Sequence, residues 1–135
     1  MAGLAPDAGE VLAFKNFLNH TAPQDQLLKL FVNDYTPVEG SVDSDFTEMS
    51  TQGYADIALA GASWVVTPGS PTSAAYAQQT WTFDGTGGPT VVYGYYVVQA
   101  VSGIIMVAER FGTPPTIVNN GDQIKVTPNF TLTSP

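Results

Sequence analysis

The sequence predicts an all-β domain, an antiparallel β-sandwich or small barrel of about eight strands with one short N-terminal helix. Residues 91–108 form a run of eighteen positions without a charged side chain. Six valines, two isoleucines and three tyrosines suit this run to a pleated sheet. Elsewhere, short apolar segments are separated by turn residues, and only one segment shows a helical period.

The run over residues 91–108 predicts a hairpin of two long strands. Its length would also suffice for a membrane helix. However, Gly94, Gln99 and three tyrosines lie inside it, and Ser102-Gly103 interrupts it where a tight turn would form. Both the odd and the even positions of the first strand are largely apolar, so we expect other protein surface to cover both faces. That cover would come partly from the same chain and partly from neighbouring chains.

Composition narrows the classes of partner. A chain of 135 residues is one domain by size and can bury a core. Four Lys and Arg against twelve carboxylates give a formal charge of −8, which disfavours nucleic acid and anionic membranes as partners. Cysteine is absent, which excludes disulfides and thiolate chemistry. The first residues lack the basic flank and apolar core of a secretory signal.

Residues 1–22 are predicted to form a helical arm ahead of the β body. Asp7-Ala8-Gly9-Glu10 has the spacing of a capping box, and a helical period follows over residues 8–19. The apolar face of this helix is a candidate contact with another protein. It consists of Val11, Phe14 and Leu18.

The remaining elements follow in chain order. Residues 38–52 hold four carboxylates and few apolar side chains, which predicts an exposed connection. Asn119-Asn120-Gly121-Asp122 predicts a hairpin turn between the last two strands. Besides the hairpin, the predicted strands are residues 26–33, 55–59, 62–67, 75–83, 117–118 and 123–127.

No set of residues predicts a catalytic, cofactor or metal site. His20 ends the predicted helix, where the helix dipole favours it, and no cysteine or second histidine could complete a zinc site. Asp43, Asp45 and Glu48 lack the spacing of a calcium loop. Two carboxylates could cleave a glycosidic bond, but nothing in the sequence places two of them together. We therefore expect a protein that is not an enzyme.

Glu109-Arg110 is the only adjacent pair of opposite charges, at the end of the hairpin. A solvated pair contributes less than about 1 kcal/mol. Arginine is also the cation that interfaces favour, because its planar guanidinium holds carboxylates. Arg110 is thus either a solvated residue or an interface residue.

Short strings spread over nearly the whole chain carry a resemblance to a known family. They are TAPQD (21–25), LKLF (28–31), GASW (61–64), YAQQ (76–79), VYGYYVV (92–98), AERF (108–111) and NNGDQIKVTP (119–128). Together they resemble small virion structural proteins of tailed bacteriophages, most of all the capsid decoration (cement) proteins. The resemblance implies a homotrimer on the outer surface of the head that binds the major capsid protein and stabilises contacts between capsomers.

These observations lead to one expected function and two alternatives. We expect a decoration protein whose contacts include residues 1–20, Arg110 and an exposed face formed by Tyr93, Tyr95 and Val97. The resemblance also admits a tail, neck or fibre component, and the aromatic residues admit an adhesin module that binds glycans. A hydrolase that depends on two converging carboxylates is the remaining alternative.

Overall fold

The protein is described from a computed structural model that covers residues 3–9, 24–69 and 72–132. Within these residues, all strand pairs are antiparallel, and the helical segments are no longer than three residues. The predicted all-β class is therefore confirmed. The strands are β1 (Gln26–Phe31), β2 (Ile57–Leu59), β3 (Val65–Thr67), β4 (Thr72–Ala75), β5 (Gln79–Thr82), β6 (Thr90–Val91), β7 (Gly94–Gln99), β8 (Ile105–Arg110), β9 (Thr116–Ile117), β10 (Gln123–Val126) and β11 (Asn129–Leu132).

The strands form four ladders: β2-β1-β7-β8, β11-β4-β3, β10-β5 and β6-β9. None of these ladders closes on itself in the part of the chain that the structure describes. The finer prediction, one sandwich or barrel of about eight strands, is therefore not confirmed. The predicted hairpin is confirmed for β7 and β8, which pair around the turn that follows Gln99, with a register shift between Val97 and Val98. Its predicted start is not, because Val91 lies in β6, which pairs with β9.

One face of the four-stranded sheet packs against the β5-β10 ladder. Leu28 and Leu30 of β1 and Tyr95 and Val97 of β7 lie on this face, and all four are at most 3% exposed. The alternation predicted for residues 79–83 is confirmed, since Trp81 and Phe83 are buried and the threonines are exposed. Leu59 of β2 lies on the same face, and the side chains that cover the face are Met49, Trp81, Phe83, Val92, Ile117, Ile124 and Val126.

The opposite face of the same sheet is covered by the connection that follows β1. Phe46 lies against this face, where its ring stacks on Tyr96 at 4.7 Å and meets Phe31 edge-on at 5.0 Å. The prediction that residues 38–52 form an exposed connection holds for most of the segment, but it misses Phe46 and Met49, which are buried, one on each face of the sheet. All six residues of β7 are consequently buried, so the expectation that both faces of this strand are covered is confirmed.

Gly94 starts β7 at a point of close approach. A β-carbon at this position would collide with the carbonyl oxygen of Glu109 and with the ring of Phe31. Only glycine lets β7 pair with β8 on one side while an aromatic ring lies against it.

The N-terminal segment lies on the β body. Leu4 exchanges two backbone hydrogen bonds with Ala108 of β8, at 2.7 and 2.8 Å, and Gly3 donates to the carbonyl of Asn129 in β11 at 3.0 Å. Residues 3–4 thereby join the edge of the four-stranded sheet to the three-stranded one. Residues 7–9 are helical, and the rest of the predicted helix lies outside the described residues.

The predicted hairpin across residues 119–122 is wrong in its strand pairing. The turn is present, with Gly121 at φ +95°. However, β9 before it pairs with β6, and β10 after it pairs with β5. The turn therefore connects two ladders instead of closing one.

Candidate protein-interaction surface

The predicted interface on β7 is not exposed in the single chain. Tyr95 is 3% exposed and Val97 is fully buried, because their face of the strand packs against β5 and β10. Tyr93 is half-buried and lies under the guanidinium of Arg110. The prediction of an exposed face formed by Tyr93, Tyr95 and Val97 is therefore wrong. Tyr95 and Val97 belong to the subunit's own interior, whereas Tyr93 is partly exposed, and a contact of Tyr93 with another chain stays a prediction.

Arg110 binds within its own chain, and its partner is not the neighbouring Glu109. Its Nη1 lies 2.6 Å from Oδ1 of Asp34 and donates to the carbonyl of Tyr35 at 3.1 Å. Its guanidinium carbon lies 5.1 Å from the centre of the Tyr93 ring. Adjacent residues of a strand point to opposite faces, which separates Arg110 from Glu109. Arg110 thus fastens the loop after β1 to the end of β8, and a role for it between chains stays a prediction.

Glu109 lies on the other face, close to Tyr95. The Tyr95 hydroxyl donates to Oε2 of Glu109 at 3.4 Å. Burial raises the pKa of Glu109, and burial together with the Glu109 carboxylate raises the pKa of Tyr95. A half-buried carboxylate with one weak donor is costly to ionise, so we expect stability to depend on the protonation of Glu109.

Other carboxylates hold turns and loops in place. Asp122 accepts hydrogen bonds from the amides of Val118 and Asn119, both at 2.9 Å, and these bonds lower its pKa. Asp84 accepts from the hydroxyl and amide of Thr86, which lowers its pKa in the same way. Asp45 accepts from the amide of Val42 at 2.9 Å. Each contact is the usual way in which an aspartate stabilises a turn.

Glu48 belongs to a small network beside β1. It forms an ion pair with Lys29 at 3.3 Å and accepts a hydrogen bond from the hydroxyl of Tyr54 at 2.8 Å. The same hydroxyl accepts from the amide of Leu30 at 3.1 Å, and burial raises the pKa of Tyr54.

Within residues 3–9, 24–69 and 72–132, no three His, Cys, Asp or Glu side chains are grouped so that they could hold a metal ion. His20, Val11, Phe14 and Leu18 lie outside these ranges.

The tip of the β7-β8 hairpin presents apolar side chains to solvent. Val101 is 86% exposed, Ile104 is 39% exposed, and Val42 from the neighbouring loop is 46% exposed. An open cavity of about 440 Å³ lies here, with Ala8, Val42 and Ile104 among its lining residues. We call Ala8, Val42, Val101 and Ile104 the hairpin-tip surface. Contiguous exposed apolar side chains, where they form a patch, are typical of protein-binding surfaces.

A second exposed apolar feature is strand β3. Val65 is 65% exposed and Val66 is 63% exposed, although adjacent residues of a strand point to opposite faces. Both faces of β3 are thus open to solvent.

Neither surface was predicted from the sequence, although each had a signal. Val101 is an aliphatic residue beside a turn at Ser102-Gly103, where polar residues are usual. Val65-Val66 stands in a stretch, residues 57–83, that contains no charged side chain. An uncharged stretch of modest hydrophobicity looks like ordinary core from the sequence, so only the structure separates these residues from buried ones.

No helix in the described ranges is both long enough and apolar enough to span a membrane. Comparison of the chain with protein-family models, with curated proteins and with solved structures finds no match in any of the three.

Proposed function

We propose that this chain is a structural protein of a bacteriophage virion, a decoration protein that binds the major capsid protein on the outer surface of the head and acts there as a homotrimer. The observation that carries the proposal is the hairpin-tip surface, which is apolar and open on a body whose sheet is otherwise covered on both faces. Such a body presents a rigid contact surface without needing to rearrange. The resemblance of the short sequence strings to decoration proteins supports the same function.

The strand edges support an assembly role as well. Among the described strands, all except β1, β4 and β7 have a single ladder partner, so the ladders leave several strand edges unpaired, those of β2 and β3 among them. The finer fold prediction, an antiparallel sandwich or small barrel of about eight strands within the single chain, belongs to this proposal, and the packing of the four-stranded sheet against the β5-β10 ladder supports it. The aromatic residues offer less to a glycan, because Trp81 is 5% exposed and its Nε1 donates to the carbonyl of Ala55.

The test is binding of the pure protein to purified heads of the phage that encodes it. The protein should co-sediment with heads and be present there in many copies by quantitative mass spectrometry. Replacing Val101 and Ile104 together by glutamine removes apolar contact and leaves the charge unchanged. Complete burial of an aliphatic side chain contributes roughly 1.5–3 kcal/mol. If the contact with the head realises half of this for each of the two side chains, their loss lowers the affinity about tenfold or more.

The matched control is Val118→Gln. Val118 is 46% exposed and lies on the turn between β9 and β10, so this variant should bind heads like the parent protein. A protein that stays in the supernatant, or that is found in few copies on tails, contradicts the proposal. Retention on a glycan array without binding to heads would favour the adhesin alternative instead.

A further inference from the structure

The edge of β3 carries no charged side chain and no bulge, which are two of the features that prevent strands from pairing between molecules. Natural edge strands are guarded by charged side chains, bulges, covering loops, proline or short length. The residues of β3, Val65, Val66 and Thr67, are uncharged, are all exposed and pair in regular register with β4. The one restraint is length, because Pro68 follows the strand directly and keeps it at three residues.

The whole sheet to which β3 belongs lacks charge. No Asp, Glu, Lys or Arg occurs in β3, β4 or β11. In a chain with a formal charge of −8, that property separates this sheet from the loops that carry the carboxylates. Valine side chains on an open edge also favour pairing with another strand.

Charge also decides which partner suits this edge. Two copies of a chain at −8 repel one another over most of their surfaces. A contact through an uncharged sheet avoids placing carboxylates of one copy against those of the other. A basic partner would instead be drawn to the acidic loops and would gain nothing from β3. The occupant that the charges favour is a second copy of this chain.

We propose that β3 is the strand through which copies of this chain pair with each other, so that the β11-β4-β3 sheet continues into a neighbouring subunit. The inference deepens the proposed function, on which it rests, by assigning the contact between subunits to a surface separate from the hairpin tip. A contact between two β3 strands gives a two-fold pair, whereas a contact between β3 and a different edge of the next copy gives a ring where the rotation between copies closes and a filament where it does not. A ladder of three residues makes few hydrogen bonds, so the association depends on concentration.

The test is sedimentation velocity of the full chain over a range of concentrations. The parent protein should sediment as a multiple of 14.3 kDa at high concentration and dissociate on dilution. In Val66→Lys, an unpaired charge would have to enter the contact, so the association constant should fall at least about tenfold. Val65→Lys places the charge on the other face of β3 and should have the same effect. The control Val118→Lys makes the same change of charge at a position away from β3 and should associate like the parent.

The outcomes separate this inference from the proposed function. A parent protein that stays at 14.3 kDa at every concentration, or a Val66→Lys variant that associates as well as Val118→Lys, overturns the inference even if heads are bound. Association that is lost in Val66→Lys, without any binding to heads, supports the inference and contradicts the decoration role. Far-ultraviolet circular dichroism of both lysine variants verifies that each is folded, which both exposed positions permit.

Discussion

Replacing Phe46 by alanine should remove much of the stability of the fold. Phe46 is 6% exposed, and its ring lies 4.7 Å from Tyr96, 5.0 Å from Phe31 and 5.1 Å from Tyr35. Truncation of a buried phenylalanine costs about 3–5 kcal/mol, because it loses burial and leaves a cavity. Since the turn over Asp43–Asp45 has no buried residue, Phe46 is the side chain that holds this turn against its face of the sheet.

The measurement is urea denaturation followed by tryptophan fluorescence. A loss of about 4 kcal/mol with an m-value of about 2 kcal/mol per molar lowers the midpoint by about 2 M. Val42→Ala, in the same loop but 46% exposed, should change the free energy of unfolding by less than about 0.5 kcal/mol. If Phe46→Ala unfolds within about 1 kcal/mol of the parent protein, the loop does not cover the sheet and the described core is wrong.

Three further substitutions test other contacts. Nε2 of Gln52 lies 2.8 Å from the carbonyl oxygen of Gly88 and 3.0 Å from that of Ile117, so Gln52→Leu should cost about 1–3 kcal/mol in urea denaturation, and a neutral result would contradict these bonds. The raised pKa of Glu109 means that the folded state binds its proton more tightly, so this contribution to stability is present at pH values below the unfolded pKa and is lost as pH rises through the folded pKa. Glu109→Gln should remove that dependence and be at least as stable as the parent at neutral pH, and an unchanged pH profile would refute the assignment. Arg110→Met should lose about 1 kcal/mol at low salt and less at high salt, whereas a loss that salt does not alter would show that the ion pair with Asp34 is unimportant.

The elements that the sequence predicts well are those whose signal is local. The run of valine, isoleucine and tyrosine around a Ser-Gly turn suffices to predict β7 and β8, because strand preference and turn chemistry agree there. The alternation at Trp81 and Phe83 predicts β5 for the same reason. In these segments, neighbouring residues carry the information that determines the structure.

The sequence-based predictions fail where the structure of a segment depends on contacts with strands that are distant in the chain. The turn around Gly121 is correctly predicted as a turn, but which strands pair depends on β5 and β6, which lie far away in the chain. Phe46 was hidden among carboxylates, so its burial could not be distinguished from exposure. Tyr95 and Val97 belong to a strand that is apolar on both faces. From the sequence of such a strand, one cannot tell whether each face is covered by the same chain or by a neighbouring one.

The two candidate surfaces were likewise not predictable from local sequence. Val65, Val66 and Val101 do not differ in type from the buried valines of β7. Exposure depends on whether another part of the chain lies over a residue, and the sequence of that residue alone does not contain this information. The lack of charge over residues 57–83 was visible in the sequence and becomes informative once β3 is known to be an edge strand.

Hydrogen exchange at the amides of β7, measured in the dilute single chain and again at high concentration, tests the central claim most directly. If one chain covers both faces of the four-stranded sheet, the amides of Gly94–Gln99 exchange only through global unfolding at either concentration, while the amides of β3 become slower on association. Rapid exchange of the β7 amides in the dilute protein, with protection gained only at high concentration, would contradict this claim, because it would mean that neighbouring copies provide the cover.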